Sequence, residues 1–327
     1  MAHQLHWADT YVFSFNFLAI IPLAWLIGKA TEDVAARIGE TAGGLLNATF
    51  GNVVEMLLCI AGIRNNEISV VQCTLLGSIL SNLLLVMGCA FLFGGLYYPI
   101  QRYNQAGAAT QCSLMALSVF AIGLPTIYVN VLKQESEWEH MVEVSRWASV
   151  CLLGVYFAYL VFQLKTHASL FQDEGEGEGE EEEEPDLSPV TAAILLLVCT
   201  VVTSYATDAL IEAIKGTIDE WKVSKEFIGI ILLPIIGNAA EHYTAIKVAM
   251  QNKMDLSLGA AASCSCRVVM SDGSTRPVLL FSVFLVNSIL NNGQSNWLEG
   301  YILLVTYFVV SLIYFFEGTE NSLASEA

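Results

Sequence analysis

Long apolar runs separated by short polar clusters set the rhythm of this chain. Eight runs come close to the twenty residues needed to cross about 30 Å of hydrocarbon as a helix. They are 11–28, 43–63, 69–95, 108–129, 147–164, 190–210, 227–250 and 300–316. A ninth, 277–290, has fourteen residues. At 1.5 Å per residue it reaches roughly 21 Å, so it must thin the bilayer, recruit its flanks or fail to span. The pattern predicts an all-α polytopic membrane protein.

One run carries a charge at its centre. Gly51-Asn52-Val53-Val54-Glu55 places a carboxylate within 43–63. An isolated charge at mid-bilayer depth costs roughly 2.5–3.5 kcal/mol on insertion scales, so such a residue normally faces a cavity, a partner or a bound ion. Gly51 loosens a helix and Asn52 caps or fills a break in it. A broken helix beside a carboxylate supplies the hard oxygen ligands that suit calcium.

The stretch recurs as Gly237-Asn238-Ala239-Ala240-Glu241-His242 inside 227–250. Upstream of each copy stands another echo, Ala30-Thr31-Glu32 and Ala206-Thr207-Asp208. Two landmarks in one order indicate internal duplication. Duplicated halves whose broken helices meet near the midplane are the usual architecture of secondary transporters. Residues 1–168 and 190–318 are then the two repeats, 169–189 a linker and 319–327 a polar tail. Within 69–95, Thr74, Gly77, Ser78, Ser81 and Asn82 recur at helical spacing on one face, and Gln72 adds an amide.

A hydrophobic share of 55%, only 14% charged residues and a mean hydropathy of +0.57 agree with a membrane protein. The net charge of -18 is concentrated between Asp173 and Asp186, where ten carboxylates stand without a base. Interleaved glycines oppose a stable helix in its first part, whereas Glu180, Glu181, Glu182, Glu183 and Glu184 can be helical once cations screen them. The segment reads either as a solvated linker or as a regulatory collector of divalent cations. The 14 Lys and Arg are scattered singly, which excludes nucleic acid as a partner. Their distribution among the loops gives no orientation in the membrane. Six of the eight cysteines lie singly in apolar runs, where they act as small hydrophobes.

The strings from Gly43 through Glu55 and from Gly237 through His242 resemble the two signature motifs of cation/proton exchangers of the vacuolar calcium/proton (CAX) family, within the calcium/cation antiporter superfamily. The resemblance implies two inverted repeats of five helices after a first helix that stands apart. It implies exchange of calcium, or other divalent cations, for protons, with Glu55 and Glu241 as the shared carboxylates. By the same resemblance Asn52 and Asn238 sit at the helix breaks, Gly51 and Gly237 offer carbonyls, Gln72 belongs to a hydrophilic path, and His242 matches the histidine after the second glutamate. Ser78 and Asn82 are expected to line that path, and the helices bearing Thr31, Glu32, Thr207 and Asp208 are expected to rock against a fixed core to alternate access.

Two departures accompany the resemblance. The chain starts where the family's second helix would begin. After Ala262 it continues as Ser263-Cys264-Ser265-Cys266-Arg267 to Ser274, where the family carries a glutamine-bearing apolar helix. The expected activity is transport and not enzymatic catalysis. Calcium and protons are its substrates, the lipid bilayer its environment, and no cofactor is called for. A vacuolar or other acidic organelle membrane is the expected location. A homo-oligomer is compatible with the sequence. The alternative is a non-transporting remnant that associates with a full-length exchanger.

Overall fold

A computed structural model describes residues 8–38, 40–132, 138–167, 187–262 and 275–326. The acidic segment with Glu180 to Glu184, and the altered stretch with Arg267, lie outside the described residues. The described elements are helical apart from one short strand pair. In order they are α1 (Asp9–Ile38), α2 (Glu40–Phe50), α3 (Val53–Arg64), α4 (Ile68–Leu80), a π-helical turn (Ser81–Val86), α5 (Met87–Tyr97), β1 (Gln101–Arg102), α6 (Gln105–Leu132), α7 (Trp138–Val161), a second π turn (Phe162–Thr166), α8 (Pro189–Glu212), α9 (Ile214–Trp221), α10 (Lys225–Phe227), a third π turn (Ile228–Leu232), α11 (Leu233–Gly237), α12 (Ala239–Met250), α13 (Met254–Ala262), α14 (Thr275–Leu290), β2 (Gln294–Ser295) and α15 (Trp297–Glu326).

Five helices among the described residues are long and apolar enough to cross a membrane: Asp9–Ile38, Ile68–Tyr97, Glu143–Val161, Pro189–Glu212 and Trp297–Phe316. A sixth span is a bent pair, Lys225–Gly237 and Ala239–Met250, with 60° between its parts. The apolar runs at 43–63 and 227–250 are thus each interrupted, the first at Gly51 and Asn52, the second at Asn238. Helix α1 runs past Lys29 and Asp33 through Ile38, with Ala35 still buried.

The described residues form two compact units, and neither coincides with a sequence half. The first holds residues 8–81, 187–243 and 307–326. In it α1 and α8 pack along one another, α3 lies against α8, and α4 lies against the π turn Ile228–Leu232. Gly77 makes that last contact feasible. A Cβ there would fall on the carbonyl oxygen of Ile230, so only glycine lets the two backbones meet. Pro234 opens the following helix. Its missing N–H and its ring disfavour straight α-helix in the preceding turn, which is where the π turn sits. Leu187, just ahead of α8, is held at the Ile38 end of α1: its N–H donates to Asp33 Oδ2 at 3.2 Å, and Arg37 donates to its carbonyl. At the opposite end of α1, Phe13 meets Trp221 of α9 edge-on at 5.6 Å. Helices α1 and α8 are therefore antiparallel, and the unit has a Leu187 end and a Trp221 end.

The second unit holds residues 82–167 and 244–306 of those described. Here α6 packs on α14, and β1 pairs antiparallel with β2 through Gln101 with Ser295 and Arg102 with Gln294. Gln101 donates to the Ala249 carbonyl at 2.8 Å and to Asn252 Oδ1 at 3.1 Å, anchoring the turn between α12 and α13.

The duplication is written in the backbone. Asn52 and Asn238 share nearly one conformation, φ -102 and ψ 11 against φ -101 and ψ 13. Each is followed by a helix of 12 residues. Each of these helices ends in a turn whose left-handed residue is an asparagine, Asn66 (φ 58) and Asn252 (φ 64), eleven positions past its glutamate.

Candidate cation site

Both glutamates fall in the first turn of the helix that follows a break, Glu55 in α3 and Glu241 in α12. Free N–H groups and the positive end of the helix dipole favour an ionised carboxylate there. The preceding helices, α2 and α11, end at the same breaks, where backbone carbonyls come free for a cation. One broken helix therefore offers both kinds of group within a few residues.

The two breaks meet crosswise within the first unit. A Cβ at Gly237 would stand 3.1 Å from Glu55 Cγ and 3.9 Å from its Oε1. Reciprocally, a Cβ at Gly51 would stand 3.9 Å from Glu241 Oε1. Each carboxylate is housed by the glycine of the other repeat. Ser78 links them further: its hydroxyl donates to Glu55 Oε1 and accepts from Asn238 Nδ2 at 3.2 Å. Glu55, Ser78 and Asn238 are all buried.

His242 is pinned in one tautomer. Its Nδ1 lies 2.6 Å from the Asn238 carbonyl oxygen, which can only accept, so Nδ1 carries the proton. Its Nε2 then faces Ser81 Oγ at 3.4 Å. Asn82, the next residue, is buried in the π turn, a helix irregularity common at functional sites. Asn52 and Gln72 are half-buried. Among the described residues no group of three or more His, Cys, Asp or Glu forms a metal cluster. The groups gathered at the breaks are two carboxylates with neutral oxygens.

The upstream echoes are placed differently. Thr31 and Thr207 are buried and turn their hydroxyls onto their own helices, Thr31 to the Ile27 carbonyl at 2.7 Å and Thr207 to the Ser204 carbonyl at 3.0 Å. Glu32 is exposed, while its neighbour Asp33 is buried at the Leu187 end. Asp208 pairs with Arg64 at 3.0 Å, joining α8 to the end of α3. Sequence reasoning missed this pair and its neighbour Glu67, which is buried between Lys215 at 2.6 Å and Lys225 at 2.7 Å. Burial pushes the Glu67 carboxyl up, but the hydrogen bonds and charges of Lys215 and Lys225 outweigh it and hold it below its ordinary value. The signal available was a charge at the edge of an apolar run, the least specific there is.

Broken helices crossed at paired carboxylates, in a duplicated helical membrane protein, define a secondary cation transporter. The sequence pattern of the sodium/calcium exchanger protein family matches residues 9–165 and 191–270, and the chain belongs to that family. It is 38% identical to a Ca2+/H+ antiporter of Aphanothece halophytica over 97% of this chain and 93% of that one. It is also 38% identical to the vacuolar calcium ion transporter of Schizosaccharomyces pombe, over 97% and 82%. Its fold matches the native YfkE structure with TM-score 0.79 and 29% identity, covering 96% of this chain and 95% of that one. A crystal structure of the H+/Ca2+ exchanger CAX matches with TM-score 0.68 over 99% and 90%, at 14% identity, which speaks for the fold alone.

Proposed function

We propose that this protein is a secondary active antiporter that exchanges calcium, or a related divalent cation, for protons across an organelle membrane of the vacuolar type. The observation that carries the reading is the crossed housing of Glu55 by Gly237 and of Glu241 by Gly51. Two carboxylates beside one another hold one divalent cation when ionised and protons when neutral, so the two substrates exclude each other, and exclusion at a single site is what couples opposing fluxes. The names of the matched relatives, Ca2+/H+ antiporters and a vacuolar calcium transporter, support the same substrates.

In this reading Glu55 and Glu241 bind calcium or protons, and Gly51, Asn52, Gly237 and Asn238 shape the breaks and contribute carbonyls. Ser78 orients Glu55 through its donated hydrogen bond, and Asn238 fixes the Ser78 hydroxyl. His242, held by the Asn238 carbonyl and facing Ser81, keeps α12 in register with the helix through Ser81. Gln72 and Asn82 line the approach. Glu180 to Glu184 are proposed as a regulatory divalent-cation collector.

The chain covers 93% of its Aphanothece halophytica relative and both of its apolar runs with glutamates are broken, so a non-transporting partner of a full-length exchanger is not favoured. Purified protein in proteoliposomes with an acid interior should take up radiocalcium when the proton gradient is imposed, and uptake should collapse with the gradient. Uptake indifferent to the gradient would reject proton coupling.

A further inference from the structure

The glutamates lie midway along the first unit, and its two ends are built differently. At the breaks Gly51 is exposed and Glu241 half-exposed, whereas from the break toward Arg64 one face of α3 buries Val53, Val54, Leu58 and Ala61 and the other exposes Met56, Ile60 and Ile63. Charged residues gather where α3 ends, at the Trp221 end. Arg64, the last residue of α3, reaches Asp208 Oδ2 of α8 at 3.0 Å. Three residues on, Glu67 takes Lys215 of α9 and Lys225 of α10.

The two sets differ in exposure. Glu67 is buried and held by two lysines, a fixed tie between the α3–α4 turn and the entry to the second broken helix. The Arg64 side chain is 67% exposed and Asp208 32% exposed. Ion pairs of that exposure break and reform readily, each contributing little to stability. Arg64 stands on the helix of Glu55, Asp208 on the helix packed along α1, so their pair is a tie across the α3–α8 contact.

We propose that Arg64 and Asp208 form a latch that keeps the cation site shut at the Trp221 end, with the Glu67 clamp as the fixed point against which it opens. The proposal rests on the antiporter reading, since a single-site exchanger must close one end while the other is open. Arg64 and Asp208 are positioning residues that never touch the cation.

Cys59 supplies a native reporter. It stands four residues after Glu55 on α3, on the same helix face and one turn nearer the latch, and is half-buried. The other seven of the eight cysteines are replaced, and the protein is reconstituted with the Trp221 end facing outward. A membrane-impermeant maleimide then reads water access to Cys59 without any ion flux. Asp208→Asn should raise the labelling rate, up to about fivefold, the shift a partly exposed ion pair can impose on a two-state equilibrium. The exchanged pair Arg64→Asp with Asp208→Arg should return the rate to that of the parent. An unchanged rate in Asp208→Asn, or a rate in the exchanged pair as high as in the single variant, would overturn the latch. Labelling reads access and radiocalcium reads exchange. A failed latch with gradient-driven uptake leaves the antiporter reading intact, and a confirmed latch without uptake leaves the substrates wrong.

Discussion

Glu55 lies against Gly237, close enough that a Cβ on the glycine would stand 3.1 Å from the glutamate's Cγ. The carboxylate of the first repeat is thus positioned by the backbone of the second. A methyl group at Gly237 must push the carboxylate aside or shift the helix break. Gly237→Ala should leave the amount of folded protein in the membrane nearly unchanged and lower gradient-driven calcium uptake roughly several-fold, since the carboxylate must give way by only a fraction of the ~1 Å misplacement that can cost about a hundredfold at a working site. Parallel uptake and protein quantitation check this.

Ser78 donates to Glu55 and accepts from Asn238, so Ser78→Ala removes one donor and strands another. A buried polar group left unsatisfied costs about 1–3 kcal/mol. Apparent calcium affinity should weaken by roughly five- to tenfold or more, with Ser78→Thr, which keeps the hydroxyl, closer to the parent. Uptake against calcium concentration measures both.

Glu67 gives a pH signature. Its carboxyl is held below the ordinary value of 4.5 by Lys215 and Lys225, against the opposing effect of burial. A carboxyl with a lowered folded pKa contributes stability that is complete above its unfolded pKa and is lost as pH falls through the lower folded one. Glu67→Gln should therefore lower the thermal midpoint by a nearly constant amount from about pH 5 to 8, with the gap closing only below about pH 4. The expected loss is roughly 1–3 kcal/mol, less than for a fully buried pair because the lysines reach water.

Asn66 and Asn252 hold left-handed conformations at equivalent turns. Glycine in either place should be tolerated. A β-branched valine should destabilise by about 1–2 kcal/mol, because its Cβ clashes in that conformation. Thermal midpoints of the four variants test the equivalence of the two turns.

Much of this was legible in the sequence. The apolar runs marked the helices, and Gly51-Asn52 and Gly237-Asn238 marked the breaks, because a glycine and an amide beside a carboxylate have few other uses in a membrane segment. Ser78 was visible as part of a small-residue face, but its bond to Glu55 was not, since spacing gives the face of a helix and not the neighbour it meets. Gly77 read as a packing residue without revealing that it admits Ile230. The echo at Thr31-Glu32 and Thr207-Asp208 was read as a matched pair. In the fold the carboxylates part company: Asp208 ties to α3, while at the other end it is Asp33, next to Glu32, that is buried. The turns at Asn66 and Asn252 were hidden because a left-handed asparagine resembles any other polar loop residue until the backbone is seen.

The central claim is that Glu55 and Glu241 form one site used in turn by calcium and by protons. Proton-gradient-driven radiocalcium uptake, measured side by side for the parent protein, Glu55→Gln and Glu241→Gln in proteoliposomes, tests it most directly. Either substitution keeps the shape of the side chain and removes its charge, so each alone should abolish uptake while the protein remains folded in the membrane. Full uptake by either variant would show that its carboxylate is not part of the site and would contradict the account.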